Sequence, residues 1–146
     1  MAAPRILVVE ARYYAHINDE LLKGAKAALE QAQARYDVVT VPGAFEIPAA
    51  IRFAALSKQP YDGYIALGCV IRGETTHYDY VCSESAHGLQ QLALEHNLAI
   101  GFGILTVENE DQALARARVD KRDKGGEAAK ACLAMVELKR RFGLTT

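Results

Sequence analysis

The sequence predicts a single three-layer α/β domain over residues 1–146, a parallel sheet with helices on both faces. Three observations predict it. Four short apolar runs rich in Val, Ile and Leu lack the strict alternation of a half-exposed sheet, which is the pattern of strands covered on both faces. Stretches with helical periodicity separate those runs, and right-handed crossovers between parallel strands place such helices on both sides of the sheet. At 146 residues, with no repeat, low-complexity tract or Pro/Gly/Ser linker, the chain has the size of one core.

The elements are expected in this order. A first strand at Ile6 to Val9 leads into a helix on which Ile17, Leu21, Ala25, Ala28 and Leu29 share one face, while Glu20, Lys23 and Glu30 face water. A strand at Val38 to Val41 precedes a helix from Glu46 to Leu56, where Pro48 is tolerated because it falls in the opening turn. The third strand is Tyr64 to Leu67. A helix from about Thr76 to Leu94 follows, with Thr76 and Asp79 at capping-box spacing. The fourth strand is Ile100 to Leu105, succeeded by a short helix at Asp111 to Ala117 and a longer one from Gly126 to Arg141. Gly125-Gly126 marks the break between the last two helices.

Composition removes several classes of function. Hydrophobic types at 51% and charged types at 24% exclude a disordered chain, which could not offset the entropy of ordering. A formal charge of -1 provides no general electrostatic pull toward nucleic acid or an anionic membrane. No apolar run approaches the roughly 18 to 20 residues that span a bilayer. Arg5 and Glu10 interrupt the start too early for a secretory signal, so a cytoplasmic protein is expected. Cys69, Cys82 and Cys132 form no CxxC pair, which suggests reduced thiols and neither a disulfide framework nor a zinc site. No histidine pair has metal-helix spacing, so no metal is expected.

In open parallel sheets, ligands approach the carboxyl ends of the strands. The polar and glycine-rich segments obey that rule: Ala11 to Tyr14, Pro42 to Glu46, Gly68 to His77 and Thr106 to Asn109 each follow a strand. Gly73 allows close backbone approach, and Thr75 and Thr76 add hydroxyls beside a helix start where a phosphate can sit. The loop lacks both GxxxxGK[ST] and GxGxxG, so an ordinary glycine turn with capping threonines is the alternative. His77 titrates near neutrality if unperturbed, which suits proton transfer; a ring hydrogen-bonded near a helix start is the plainer role. Arg116 offers forked donors and Lys124 a mobile positive charge for a phosphate, and both also read as solvated helix ends. Glu127 can orient Lys124 or form an exposed helical pair with it. Tyr13, Phe45 and Phe102 can stack on a heterocycle or fill the core. Glu46 can accept from a polyol or favour the helix start that follows it. Cys69 beside His77 raises a cysteine-dependent acyl transferase as another reading, against a buried thiol.

Taken together, VPGAFEIP (Val41 to Pro48), ALGCVIRGETTHYDYV (Ala66 to Val81), GFGILTVEN (Gly101 to Asn109), QALARA (Gln112 to Ala117) and DKGGEAA (Asp123 to Ala129) closely resemble the lumazine synthase family. Their order and spacing cover nearly the whole chain. The resemblance implies a flavodoxin-like sheet of four parallel strands in the order 2-1-3-4, and a homopentamer with active sites between adjacent subunits. It implies condensation of 5-amino-6-(D-ribitylamino)uracil with 3,4-dihydroxy-2-butanone 4-phosphate to give 6,7-dimethyl-8-ribityllumazine, the penultimate step of riboflavin biosynthesis, with no metal or organic cofactor.

The same resemblance assigns roles. Tyr13 would stack on the pyrimidine; Ala44, Phe45 and Glu46 would contact it, with Glu46 on the ribityl hydroxyls; Val70 and Ile71 would hold the ring edge through their backbones. Gly73, Glu74, Thr75 and Thr76 match the phosphate loop, and His77 the proton-transfer histidine. Phe102, Arg116, Lys124 and the acidic Glu127 would come from the neighbouring subunit. Shell-forming members commonly carry an extra N-terminal strand and a glycine-containing turn between the last two helices. Here only Met1 to Arg5 precede the first strand, and residues 118–123 lack glycine. The expected assembly is therefore a free pentamer, or two pentamers paired as a decamer. A flavin- or lumazine-binding module or scaffold that keeps only the pocket is the non-catalytic alternative.

Overall fold

A computed structural model describes residues 2–144 as β1 (Arg5–Ala11), α1 (Ala15–Gln31), β2 (Arg35–Val41), a 3-10 turn at Ala44–Glu46, α2 (Ile47–Ala55), β3 (Gly63–Ile71), α3 (His77–His96), β4 (Ile100–Val107), α4 (Glu110–Ala117) and α5 (Lys124–Arg141). The strands make one all-parallel sheet in the order β2-β1-β3-β4, as the resemblance implied. Val8 lies opposite both Val38 and Ile65, and Ile65 opposite Gly101.

Alternate residues of β1 serve the two layers. Ile6 and Val8 point to the side of α1, α4 and α5, and Leu7, Val9 and Ala11 to the side of α2 and α3. Apolar burial on both faces is what makes these strands read as continuous hydrophobic runs. β2 departs from that expectation. It is an edge strand, none of its residues is fully buried, and Val39 is 41% exposed.

The strands run further than the apolar runs predicted. Val70 and Ile71, expected in a loop, are the last two residues of β3, because pairing with β4 continues to Ile71 opposite Val107. Gly125-Gly126 is not a break. Both glycines lie in the first turn of α5, and the chain turns at Asp123, whose φ of 46° is left-handed and whose carboxylate caps Gly126 N–H at 3.2 Å. The glycines are there for proximity: a Cβ on Gly125 would stand 1.9 Å from the Leu21 carbonyl oxygen of α1. The capping box at α3 is likewise not formed. Thr76 makes no side-chain cap, and Thr75 Oγ1 accepts from His77 N–H instead, at 3.3 Å. α4 starts one residue earlier than expected, capped by Asn109 accepting from Gln112 N–H at 2.9 Å.

Candidate active site

The strand order reverses between β1 and β3: the chain leaves β1 toward β2 on one side, and β3 toward β4 on the other. Loops diverging from such a point leave a crevice at the carboxyl ends of the two strands. A cavity of about 770 Å³ occupies it, walled by the residues after β1, β2 and β3. Pairing between β1 and β3 stops at Leu67, while pairing between β3 and β4 runs on to Ile71. From Gly68 onward, one backbone edge of β3 therefore lacks a strand partner and faces the crevice. It is a row of directional groups for a planar polar ring.

Tyr13 stands over this crevice, 77% exposed, with its ring edge-on to Tyr14 at 5.0 Å between centroids. Phe45, 56% exposed, rises from the 3-10 turn on the β2 side. Glu46 ends that turn and folds back over Gly43, where a Cβ would meet its Oε1 at 3.1 Å. It stands at the N-cap position of α2 without making a side-chain cap, so its carboxylate lies in the field of the helix start while no backbone N–H of that helix occupies it. Gly73 has open space around it, and His77 opens α3 beyond Thr75. The neighbouring Arg72 is already engaged. Its Nε donates to Glu108, Nη1 pairs with Asp79 at 3.6 Å, and its guanidinium lies over the Tyr78 ring at 4.4 Å. That cluster ties the start of the loop to β4 and α3.

Of the residues singled out in the sequence, Tyr13, Ala44, Phe45, Glu46, Val70, Ile71, Gly73, Thr75 and His77 line the cavity. Glu74 and Thr76 belong to the same loop but lie off its wall. Phe102, Arg116, Lys124 and Glu127 are not brought to this cavity. Phe102 is half exposed on the edge strand β4, Arg116 Nη1 donates to the Gln112 carbonyl at 3.0 Å, and Lys124 Nζ pairs with Glu127 at 3.2 Å. Three tyrosines were missed: Tyr14, Tyr78 and Tyr80 also line the cavity. His77, Tyr80 and Val81 stand at i, i+3 and i+4 on α3, a spacing that could have found Tyr80.

Cys69 also borders the cavity, but burial, reinforced by nearby Cys82 and Glu110, pushes its thiol up to about 12. A thiol so rarely ionised near neutrality is a poor nucleophile, which removes the support for cysteine-dependent acyl transfer. Burial also raises Tyr14, with smaller contributions from Tyr13 and Cys69, so its phenol stays a neutral donor.

A family model described as 6,7-dimethyl-8-ribityllumazine synthase matches residues 3–140. Proteins named 6,7-dimethyl-8-ribityllumazine synthase are similar along nearly the whole chain. The one from Bartonella tribocorum is 59% identical over 140 residues, 96% of this chain and 93% of its own length. That of Agrobacterium fabrum is 56% identical over 147 residues, 98% of this chain and 99% of its own. That of Methylobacterium radiotolerans is 60% identical over 140 residues, 96% and 85% respectively. The crevice between β1 and β3, lined by Tyr13, Glu46 and His77, is thus built on a chain that belongs to the 6,7-dimethyl-8-ribityllumazine synthase family.

Proposed function

We propose that this protein is an enzyme that condenses 5-amino-6-(D-ribitylamino)uracil with 3,4-dihydroxy-2-butanone 4-phosphate, giving 6,7-dimethyl-8-ribityllumazine, inorganic phosphate and two molecules of water, in riboflavin biosynthesis. The observation that carries this reading is the convergence of Tyr13, Glu46 and His77 on one cavity beside the open backbone edge of β3. Tyr13 stacks on the pyrimidine, the backbones of Val70 and Ile71 engage its edge, and Glu46 accepts from ribityl hydroxyls. Ala44 and Phe45 complete that wall.

The uracil's primary amine attacks the ketone, and loss of water forms an imine. Loss of a proton and departure of phosphate give an enol that tautomerises to a ketone. The ribityl-bearing nitrogen then closes the second ring, with loss of the second water. His77 moves protons in these steps. The loop Gly73, Glu74, Thr75 and Thr76 holds the phosphate against the start of α3. Holding two small reactants together in one crevice supplies a large share of the acceleration.

The phosphate side is completed by a second copy of the chain, which brings Phe102, Arg116, Lys124 and Glu127 to the mouth of the crevice. Their position away from the chain's own cavity supports this, as does the exposed apolar surface on the α2/α3 side, where Phe53 is 72% and Leu94 71% exposed. The assembly we propose is a homopentamer, free or paired into a decamer; the glycine-free turn at residues 118–123 supports a state short of a shell. Cys69, Cys82 and Cys132 are free thiols, which fits a cytoplasmic enzyme.

The test mixes both substrates with purified protein and follows lumazine fluorescence and phosphate release together. One phosphate per lumazine is expected. Tight binding of the pyrimidine with no phosphate released would instead identify a binding module.

A further inference from the structure

We propose that Arg12, anchored on the buried carboxylate of Glu10, is a positioning residue that aims Tyr13 and so governs capture of the heterocyclic substrate; this rests on the reading of Tyr13 as the stacking surface. Glu10 lies near the end of β1 and is 4% exposed, an expensive place for a carboxylate without partners. It has three. Oε1 accepts from Arg12 Nη1 at 2.8 Å and from Asn18 Nδ2 at 2.6 Å, and Oε2 accepts from Thr40 Oγ1 at 3.1 Å. Asn18 is fully buried on α1, and its Oδ1 has no hydrogen-bond partner among the described residues. The bond from Nδ2 to Glu10 is thus what sets which way that amide faces.

Arg12 uses its other terminal nitrogen on the far side of the turn, where Nη2 donates to the Ala15 carbonyl at 3.3 Å and to Asp19. One side chain thus ties the end of β1 to the first turn of α1. That turn needs it, because Tyr14 occupies the N-cap position without capping through its side chain. Tyr13 sits between the two anchors. Its ring is 77% exposed and touches Tyr14 edge-on, so little packing of its own fixes its direction. The ring inherits its aim from the backbone on either side, and Arg12 holds that backbone. A reactive or binding group is only as well placed as the shell that supports it.

Arg12→Lys is the test. It keeps a positive charge for Glu10, which avoids stranding a buried carboxylate, but an ammonium cannot fork to Glu10, Ala15 and Asp19 at once. The Kd of 5-amino-6-(D-ribitylamino)uracil, measured calorimetrically without the second substrate, should rise about three- to tenfold. The KM of the phosphorylated ketone and kcat should change less than twofold. Asp19→Ala, which frees only the exposed end of the fork, should weaken pyrimidine binding in the same direction by a smaller factor. Tyr13→Ala alone should weaken it as well, and the double variant Arg12→Lys/Tyr13→Ala should bind no worse than Tyr13→Ala. A purely structural arginine would instead multiply the two losses. An unchanged pyrimidine Kd in Arg12→Lys, equal losses for both substrates, or multiplied losses in the double variant would overturn the inference. Absence of product from the wild type that still binds the pyrimidine would overturn the reaction and leave this binding test standing.

Discussion

The α1/α4/α5 layer closes on the sheet with backbone against backbone, whereas the α2/α3 layer leaves much of its apolar surface uncovered. On the first side, α5 buries Gly125, Gly126, Ala128, Ala129, Cys132 and Val136, and a Cβ on Gly101 of β4 would stand 2.0 Å from the Ala128 carbonyl oxygen. Small residues there let helix and strand meet without intervening side chains. On the second side, twenty residues of α3 bury only Ser85, Leu89 and Leu92, while Phe53, Leu56, Tyr80 and Leu94 are exposed. The contrast separates two tasks. One layer packs tightly against the sheet and holds the strands in place. The other meets the strand exits where the crevice opens, and its uncovered side chains suit the proposed second copy.

The largest effect expected from this contrast is at Gly125. Gly125→Ala forces a methyl group into the Leu21 carbonyl, a backbone atom that cannot rotate away, and should cost about 3 kcal/mol or more, or leave no folded protein. Gly73→Ala, in the open loop where nothing lies within 4 Å, should change stability by less than about 0.5 kcal/mol. Denaturant titration of both variants compares them directly; equal losses would break the distinction between a closed layer and an open site.

His77→Ala comes next. It should lower kcat about a hundredfold or more while leaving the melting temperature and the assembly mass unchanged, since His77 lies at the mouth of the crevice and outside both cores. A similar rate in wild type and variant would remove its proton-transfer role. Arg116→Ala sharpens the division between self and neighbour. The KM for the phosphorylated ketone should rise about tenfold and binding of the ribitylated pyrimidine should change less than twofold, because the forked donors are proposed to hold the phosphate. Equal losses for both ligands would count against that assignment.

The smallest effect at working pH belongs to the closed layer. Burial pushes Cys69 and Cys132 up to about 12 from a thiol's ordinary 9.0, and both sit in the core shared with α1 and α5. Raised folded values mean that the unfolded chain loses these protons first. These two thiols should therefore leave stability unchanged below about pH 9 and lower it between about 9 and 12. One pH unit above the ordinary value the cost is on the order of 1 kcal/mol per thiol. Melting curves across alkaline pH should fall less steeply in a Cys69→Ala/Cys132→Ala variant; parallel curves would show that the thiols do not contribute.

Much of the site was legible because strand exits carry their chemistry in consecutive residues. Ala44 to Glu46 reach the cavity as a consecutive run, and Gly73, Thr75 and His77 reach it from one short loop, each visible where its strand ends. Glu10, Arg12, Asn18, Asp19 and Thr40 were not legible as a unit, because Thr40 belongs to another strand and only the β1–β2 pairing brings it beside Glu10. Gly125-Gly126 misled for a related reason. Two adjacent glycines punctuate a chain in isolation, but here their missing side chains make room for α1.

By itself the sequence determined the alternation of strand and helix, because apolar periodicity is a local property that each segment carries with it. It also carried the residue types of the crevice, and through its ordered motifs the family. Only the tertiary structure decided that β3 continues through Val70 and Ile71, that its free edge opens where β1 stops, and that a buried carboxylate anchors the turn bearing Tyr13. Those outcomes depend on which segments lie side by side, and the distance between two backbones is a property of neither segment alone.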